Sequence, residues 1–149
     1  MRGSAAAALD ASYAAPMARY VIDAPTLLHL VAEETQIKPE HQVVAPNLIR
    51  SQALALLLAS VRREELTERE ALRRHERLTE LKMRLLGDRV SRRTAWDIAR
   101  QQGWETTFEA EYLAVTKLQA DALVTIDADF AARAAPVVPV ATLADLVAR

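Results

Sequence analysis

Leu123-Val124-Thr125-Ile126-Asp127 is a short apolar run that ends on an aspartate, and its reading decides the fold. Tyr20-Val21-Ile22-Asp23 repeats the pattern near the other end of the chain. Both read as buried strands, and each is followed by a stretch able to start a helix. In an open parallel sheet, ligands bind at the carboxyl ends of the strands. Two acidic side chains delivered there from distant parts of the sequence imply a shared metal site.

Outward from these runs, strands and helices alternate. Pro25 fits the first turn of a helix that starts after Asp23, since proline needs no hydrogen-bond partner there. A short strand is expected over Gln42 to Ala45, with Pro46 opening a second helix whose leucines face more than one way. Thr67 and Glu70 have capping-box spacing at the start of a charged helix, for which Leu66, Leu72, Leu78 and Leu81 supply a thin apolar stripe. Gly87-Asp88 breaks the pattern, and a helix over Arg89 to Gln102 is capped by Gly103. Thr106 or Thr107 caps the next helix, Phe108 to Gln119. Strand Ala122 to Ile126, helix Ala128 to Ala135, strand Pro136 to Val140 and a helix from Leu143 complete the chain. This alternation predicts a three-layer α/β/α fold around a parallel sheet of about four to five short strands.

The 149 residues, about half of them hydrophobic, suit one domain with a proper core. Residues 17–149 are read as that domain. Met1-Arg2-Gly3-Ser4 and the alanine-rich run to Pro16 read as an expression tag or a weakly ordered natural extension. No apolar run reaches the length of a membrane span, and the absence of cysteine excludes disulfides and thiolate metal sites. A reducing cytoplasm is the expected compartment.

With glycines only at 3, 87 and 103, the chain has neither a phosphate-cradling loop nor a dinucleotide fingerprint. His29, His41 and His75 fit no zinc spacing, and no serine sits in a glycine-flanked elbow. Carboxylates remain. Asp23, Asp127 and Glu109, with Glu111 beside it, form an oxygen-only set suited to Mg²⁺ or Mn²⁺. Such an ion activates water and stabilises the charge that builds on a phosphate, so phosphodiester hydrolysis is the expected chemistry. Each acid also has a structural reading: Asp23 and Asp127 as N-caps, Glu109 and Glu111 as first-turn acids.

The same segments resemble a PIN domain, specifically the VapC-type ribonucleases of toxin–antitoxin pairs. Tyr20-Val21-Ile22-Asp23-Ala24 is similar to the family's first strand. Phe108-Glu109-Ala110-Glu111-Tyr112-Leu113-Ala114 resembles its acidic helix start, and Leu123-Val124-Thr125-Ile126-Asp127-Ala128-Asp129-Phe130 its later strand end. The resemblance covers Tyr20 to about Leu146. It implies a Mg²⁺- or Mn²⁺-dependent endoribonuclease in which Asp23, Glu109 and Asp127 hold the metal and are the catalytic acids. Thr125 would order the site, and Glu111 and Asp129 would be acidic neighbours. Glu109 stands where the family usually has aspartate. Pro25 replaces a small polar residue of the family pattern, which removes one expected site hydrogen bond.

The main departure is Gln52, where the family places a glutamate about six residues after the proline of the second helix. Ser51 lies next to it should the alignment slip by one. The loss of charge implies weaker metal binding, and a PIN-like binding module without activity is the alternative function. Arginines from Arg62 to Arg77 interleave with glutamates and read as a solvated, ion-paired surface. Arg84, Arg89, Arg92 and Arg93 have only Asp88 to balance them, so they are the RNA-contact candidates. The resemblance further implies a VapB-type antitoxin, whose segment would occupy a groove between the leucine-rich first and second helices, and a homodimer. The plainer reading of those leucines is core.

Overall fold

The computed structural model describes residues 17–148; the expected leader, residues 1–16, lies outside the described residues. Five strands form one all-parallel sheet: β1 (Arg19–Ile22), β2 (Gln42–Pro46), β3 (Arg84–Leu86), β4 (Ala122–Val124) and β5 (Val140–Ala141). Their spatial order is β3-β2-β1-β4-β5. The chain therefore builds outward from β1 through β2 to β3, then returns to place β4 on the other side of β1. That reversal puts a topological switch point between β1 and β4, where open α/β sheets form their ligand crevice. Asp23 and Asp127 follow these two strands.

The helices are α1 (Ala24–Ala32), α2 (Ile49–Arg62), α3 (Glu68–Glu80), α4 (Arg89–Gln102), α5 (Phe108–Gln119), α6 (Ala128–Ala134) and α7 (Leu143–Leu146). Helices α1, α2 and α3 pack on one another, while α4 packs on α5 and α5 lies against β1, β2 and β4. The architecture is a three-layer α/β/α fold. Its centre is Val21, Ile22, Leu123 and Val124 from the strands, with Leu27, Leu30, Ile49 and Leu113 from the helices, all fully buried. Truncating one such leucine to alanine costs about 2–5 kcal/mol, because the cavity does not collapse completely. Among the described residues no helix is long and apolar enough to cross a membrane.

Several boundaries differ from the sequence reading, each for a local reason. Pro46 closes β2 in place of opening a helix; Asn47 N donates to Leu86 O, and α2 begins at Ile49. Strand β3 has no counterpart in that reading, because three residues at the sheet edge carry too little alternation to mark a strand. On α3 the buried pair is Ala71 and Leu78, seven residues apart and on one face, whereas Leu72 is exposed. Beyond α6, Val137 N and Val138 N bond back to Ala134 O, which delays β5 to Val140. Strand β4 ends at Val124, since Thr125 turns away to the site.

Candidate active site

Asp23 is the N-cap of α1, and the residue is 5% exposed. Oδ1 accepts from Thr26 N at 3.2 Å and from Thr26 Oγ1, while Oδ2 accepts from Thr125 Oγ1 at 2.7 Å. Both hydroxyls are fixed in turn: Thr26 Oγ1 accepts from Ile126 N and Thr125 Oγ1 from Asp127 N, each at 3.0 Å. Each therefore keeps its own proton for Asp23. Burial pushes the Asp23 carboxyl above its ordinary range, and the threonine bonds oppose that rise by favouring the anion.

Asp127 is the N-cap of α6; Oδ1 accepts from Asp129 N at 3.0 Å and Phe130 N at 3.1 Å. Its capping role and its place at the strand end are thus the same geometry. The turn that carries it is tied to Asp23 through Thr125 and, one residue earlier, through Ile126 N and Thr26, so β1 and β4 deliver the two acids as a unit.

Glu109 enters from α5 and is held by an arginine. Arg133 Nη1 and Nη2 donate to the two Glu109 carboxylate oxygens at 2.5 and 3.0 Å, a bidentate pair. Arg133 Nε also donates to Asp129 Oδ2 at 2.9 Å. The guanidinium lies 5.6 Å from the Trp104 ring centroid and 5.4 Å from that of Phe130, within cation–π range. One turn further along α5, Tyr112 OH donates to Gln52 Oε1. Burial, with Asp23 and Glu111 nearby, pushes the Tyr112 hydroxyl far above its ordinary value, so it stays a donor.

Asp23, Gln52, Glu109, Tyr112, Asp127 and Phe130 line one cleft of about 340 Å³ at the carboxyl ends of the strands. Ser51 is exposed on α2 and outside that lining. Glu111 is also outside it and half-buried; burial raises its carboxyl, and Arg92 opposes the rise. Arg89, Arg92 and Arg93 lie on α4. Arg84 is separated from them. It starts β3 and lines a larger cavity, about 680 Å³, with Arg19 and Gln42 at the amino ends of the strands.

Three contributors escaped the sequence reading. Thr26 sits three residues after the Asp23 cap, a spacing that marks reciprocal capping and was there to be used. Arg133 stands four residues after Asp129, which hints at that pair, but its tie to Glu109 crosses 24 residues without a local signal. Tyr112 was a landmark of the motif, with no role attached; its partner Gln52 lies 60 residues away.

The donor chemistry suits a hard divalent cation, being oxygen-only, with one buried anion held by hydroxyls. Among the described residues no group of three or more His, Asp or Glu side chains is assembled as a metal cluster. Glu109, one of the three cleft acids, is instead paired with Arg133. Among the described residues Asp23 and Asp127 are the cleft carboxylates without an arginine partner, and they are the ones that could hold such an ion, while Glu109 is held by Arg133.

No family model matches the chain, and a search of curated proteins found no match. Among solved structures the chain is similar to the crystal structure of PAE2754 from Pyrobaculum aerophilum. The TM-score is 0.64 at 19% identity, over 87% of this chain and 93% of that one. At that identity the likeness is one of fold.

Proposed function

We propose that this chain is a divalent-cation-dependent endoribonuclease of the PIN type, acting as the VapC-like toxin of a toxin–antitoxin pair. The observation that carries the reading is the buried Asp23 carboxylate, oriented by two threonine hydroxyls at the sheet's switch point. Asp127 and Glu109 open onto the same cleft. Mg²⁺ or Mn²⁺, when bound, supplies water activation and neutralises the charge that builds on the phosphodiester.

The remaining work falls to side chains. Asp23 and Asp127 hold the ion, and Thr26 and Thr125 keep Asp23 anionic and aligned. Tyr112 and Gln52 bond to each other and close one wall of the cleft. Glu109, paired with Arg133, would be the third carboxylate beside the ion. Arg89 and Arg92 are the RNA-phosphate contacts of this reading, whereas Arg93 is paired with Asp97. Leu54, Leu56 and Leu58 are exposed on α2, which supports a surface for a VapB-type antitoxin or for homodimer formation, and the setting is the cytoplasm.

Cleavage of RNA by the purified chain with Mn²⁺, abolished by chelator and by Asp23→Asn, is the expected result. Cleavage that survives Asp23→Asn sinks the assignment. A second reading, a PIN-like binding module without turnover, is favoured by the neutral Gln52 and by the Glu109–Arg133 pair. Mn²⁺ binding with no cleavage of any RNA, and activity gained in Gln52→Glu, would select it.

A further inference from the structure

Helix α4 presents a face that the fold does not use. Its buried side is Ala95, Ile98 and Ala99. On the exposed side, Arg89, Arg92, Trp96 and Arg100 recur at intervals of three and four and so share one stripe. The stripe runs about 16 Å along the helix, enough for several nucleotides. Trp96 is 58% exposed, an unusual place for an indole that packs against nothing in the core.

The charges on this stripe differ from those on α3. There, Arg73 and Arg74 bond Glu70 and Arg77 bonds Glu34. On α4, Asp97 takes Arg93 at 3.3 Å, which leaves that pair neutral. Among the described residues Arg89, Arg92 and Arg100 form no salt bridge. Arg92 is close enough to Glu111 to act on its carboxyl, which places that part of the stripe beside α5. Helix α5 carries Glu109 and Tyr112 into the cleft.

We propose that the Arg89–Arg92–Trp96–Arg100 face of α4 is a docking track for an unpaired RNA strand, with Trp96 as the platform for one base. The proposal rests on the RNA reading above and adds to it the surface that holds the strand outside the cleft. Arginines at helical spacing neutralise successive phosphates, and the aromatic ring between them stacks on a base. A base inside a duplex is already stacked and does not offer its face. Charge complementarity favours this occupant over a second copy of the chain, because a two-fold contact through the stripe would set its arginines against one another.

The test measures binding with chelator present, so that cleavage plays no part. Fluorescence anisotropy of a labelled single strand of about 12 nucleotides is compared with that of a duplex of equal length. Trp96→Ala is expected to weaken the single strand about tenfold or more and leave the duplex unchanged, with Trp96→Phe restoring most of the affinity. Neutralising Arg89, Arg92 or Arg100 to Gln is expected to reduce the slope of log affinity against log salt by about 0.7 each. Circular dichroism of each variant checks the fold, which this exposed face does not support.

Unchanged single-strand affinity in Trp96→Ala overturns the proposal. So does a dimer that becomes monomeric in Trp96→Ala while RNA binding stays the same. Failure of the nuclease reading looks different: the track binds RNA, and no metal-dependent cleavage follows.

Discussion

Asp23 and Glu109 open onto one cleft, yet the protein treats the two carboxylates in opposite ways. Asp23 is buried and held by neutral donors, two hydroxyls and one amide, so its charge stays unbalanced within the fold. Glu109 is partly exposed and its charge is matched by Arg133, which bonds both of its oxygens. A buried anion that lacks a cation costs stability, and such a cost is ordinary where a site is built to receive a ligand. A matched ion pair carries no such implication. The difference places the unbalanced charge at the β1–β4 junction and the matched charge between α5 and α6.

The largest expected effect comes from removing the unbalanced charge. Asp23→Asn keeps the shape and deletes the anion, and under the proposed nuclease function RNA cleavage is expected to fall more than about 100-fold, as for loss of a direct metal ligand. Glu109→Gln should lose far less, because its charge is already matched. Equal losses in single-turnover assays of the two variants would break the comparison.

Freeing the matched carboxylate is the next test. Arg133→Gln leaves Glu109 and Asp129 without their guanidinium, and Mn²⁺ affinity by titration calorimetry is expected to tighten about tenfold. Adding Glu109→Gln to Arg133→Gln should erase the gain. A gain that persists in the double variant would give the effect to Asp129 and remove Glu109 from the site.

The two kinds of carboxylate were not equally legible in the sequence. Asp23 and Asp127 stood out because a short apolar run ending in an acid is a local pattern, and their N-cap and strand-end roles turned out to be one geometry. Most helices were likewise readable, for the cap at Thr67, the break at Gly87-Asp88 and the left-handed turn at Gly103 are written in neighbouring residues. What stayed hidden is non-local. Arg133 reaches Glu109 and Tyr112 reaches Gln52 only after the layers have packed, whereas the Thr125 bond to Asp23 was expected from the resemblance. Strand β3 was missed for a related reason: its three residues are a strand because β2 is beside them. Pro46 misled because a proline that starts a helix and one that ends a strand look the same without the sheet.

Stability against pH sharpens the same contrast on a smaller scale. Burial raises the folded-state carboxyl of Asp23 above its ordinary value near 3.8. Above that raised value the fold holds an unfavourable anion, and as pH falls through it the fold takes up a proton more readily than the unfolded chain. Asp23 therefore costs stability at neutral pH, and the cost fades as the solution is acidified. In chelator at pH 7, Asp23→Asn is expected to raise Tm by about 2–4 °C, about 1 kcal/mol. The difference from the parent protein should shrink toward pH 4. A variant that melts lower at pH 7 would mean that the two threonine bonds to the carboxylate outweigh its burial.

Glu70 marks the opposite limit and the smallest effect. It lies on α3 at the surface, bonded by both Arg73 and Arg74, which hold its carboxyl at about 2, below the ordinary 4.5. Its favourable contribution is complete above the unfolded value and is lost as pH falls from 4.5 toward 2, the reverse of Asp23. Exposure and screening keep that contribution small, so Glu70→Gln is expected to lower Tm by about 2 °C or less, and by still less in high salt. Mn²⁺ affinity should not change. A carboxylate paired with arginine from its own helix is a fixture of the surface, whereas Glu109 borrows its arginine from another helix at the edge of a cleft. If Glu70→Gln altered metal binding as much as Glu109→Gln does, pairing geometry would not be what separates a structural carboxylate from a poised one.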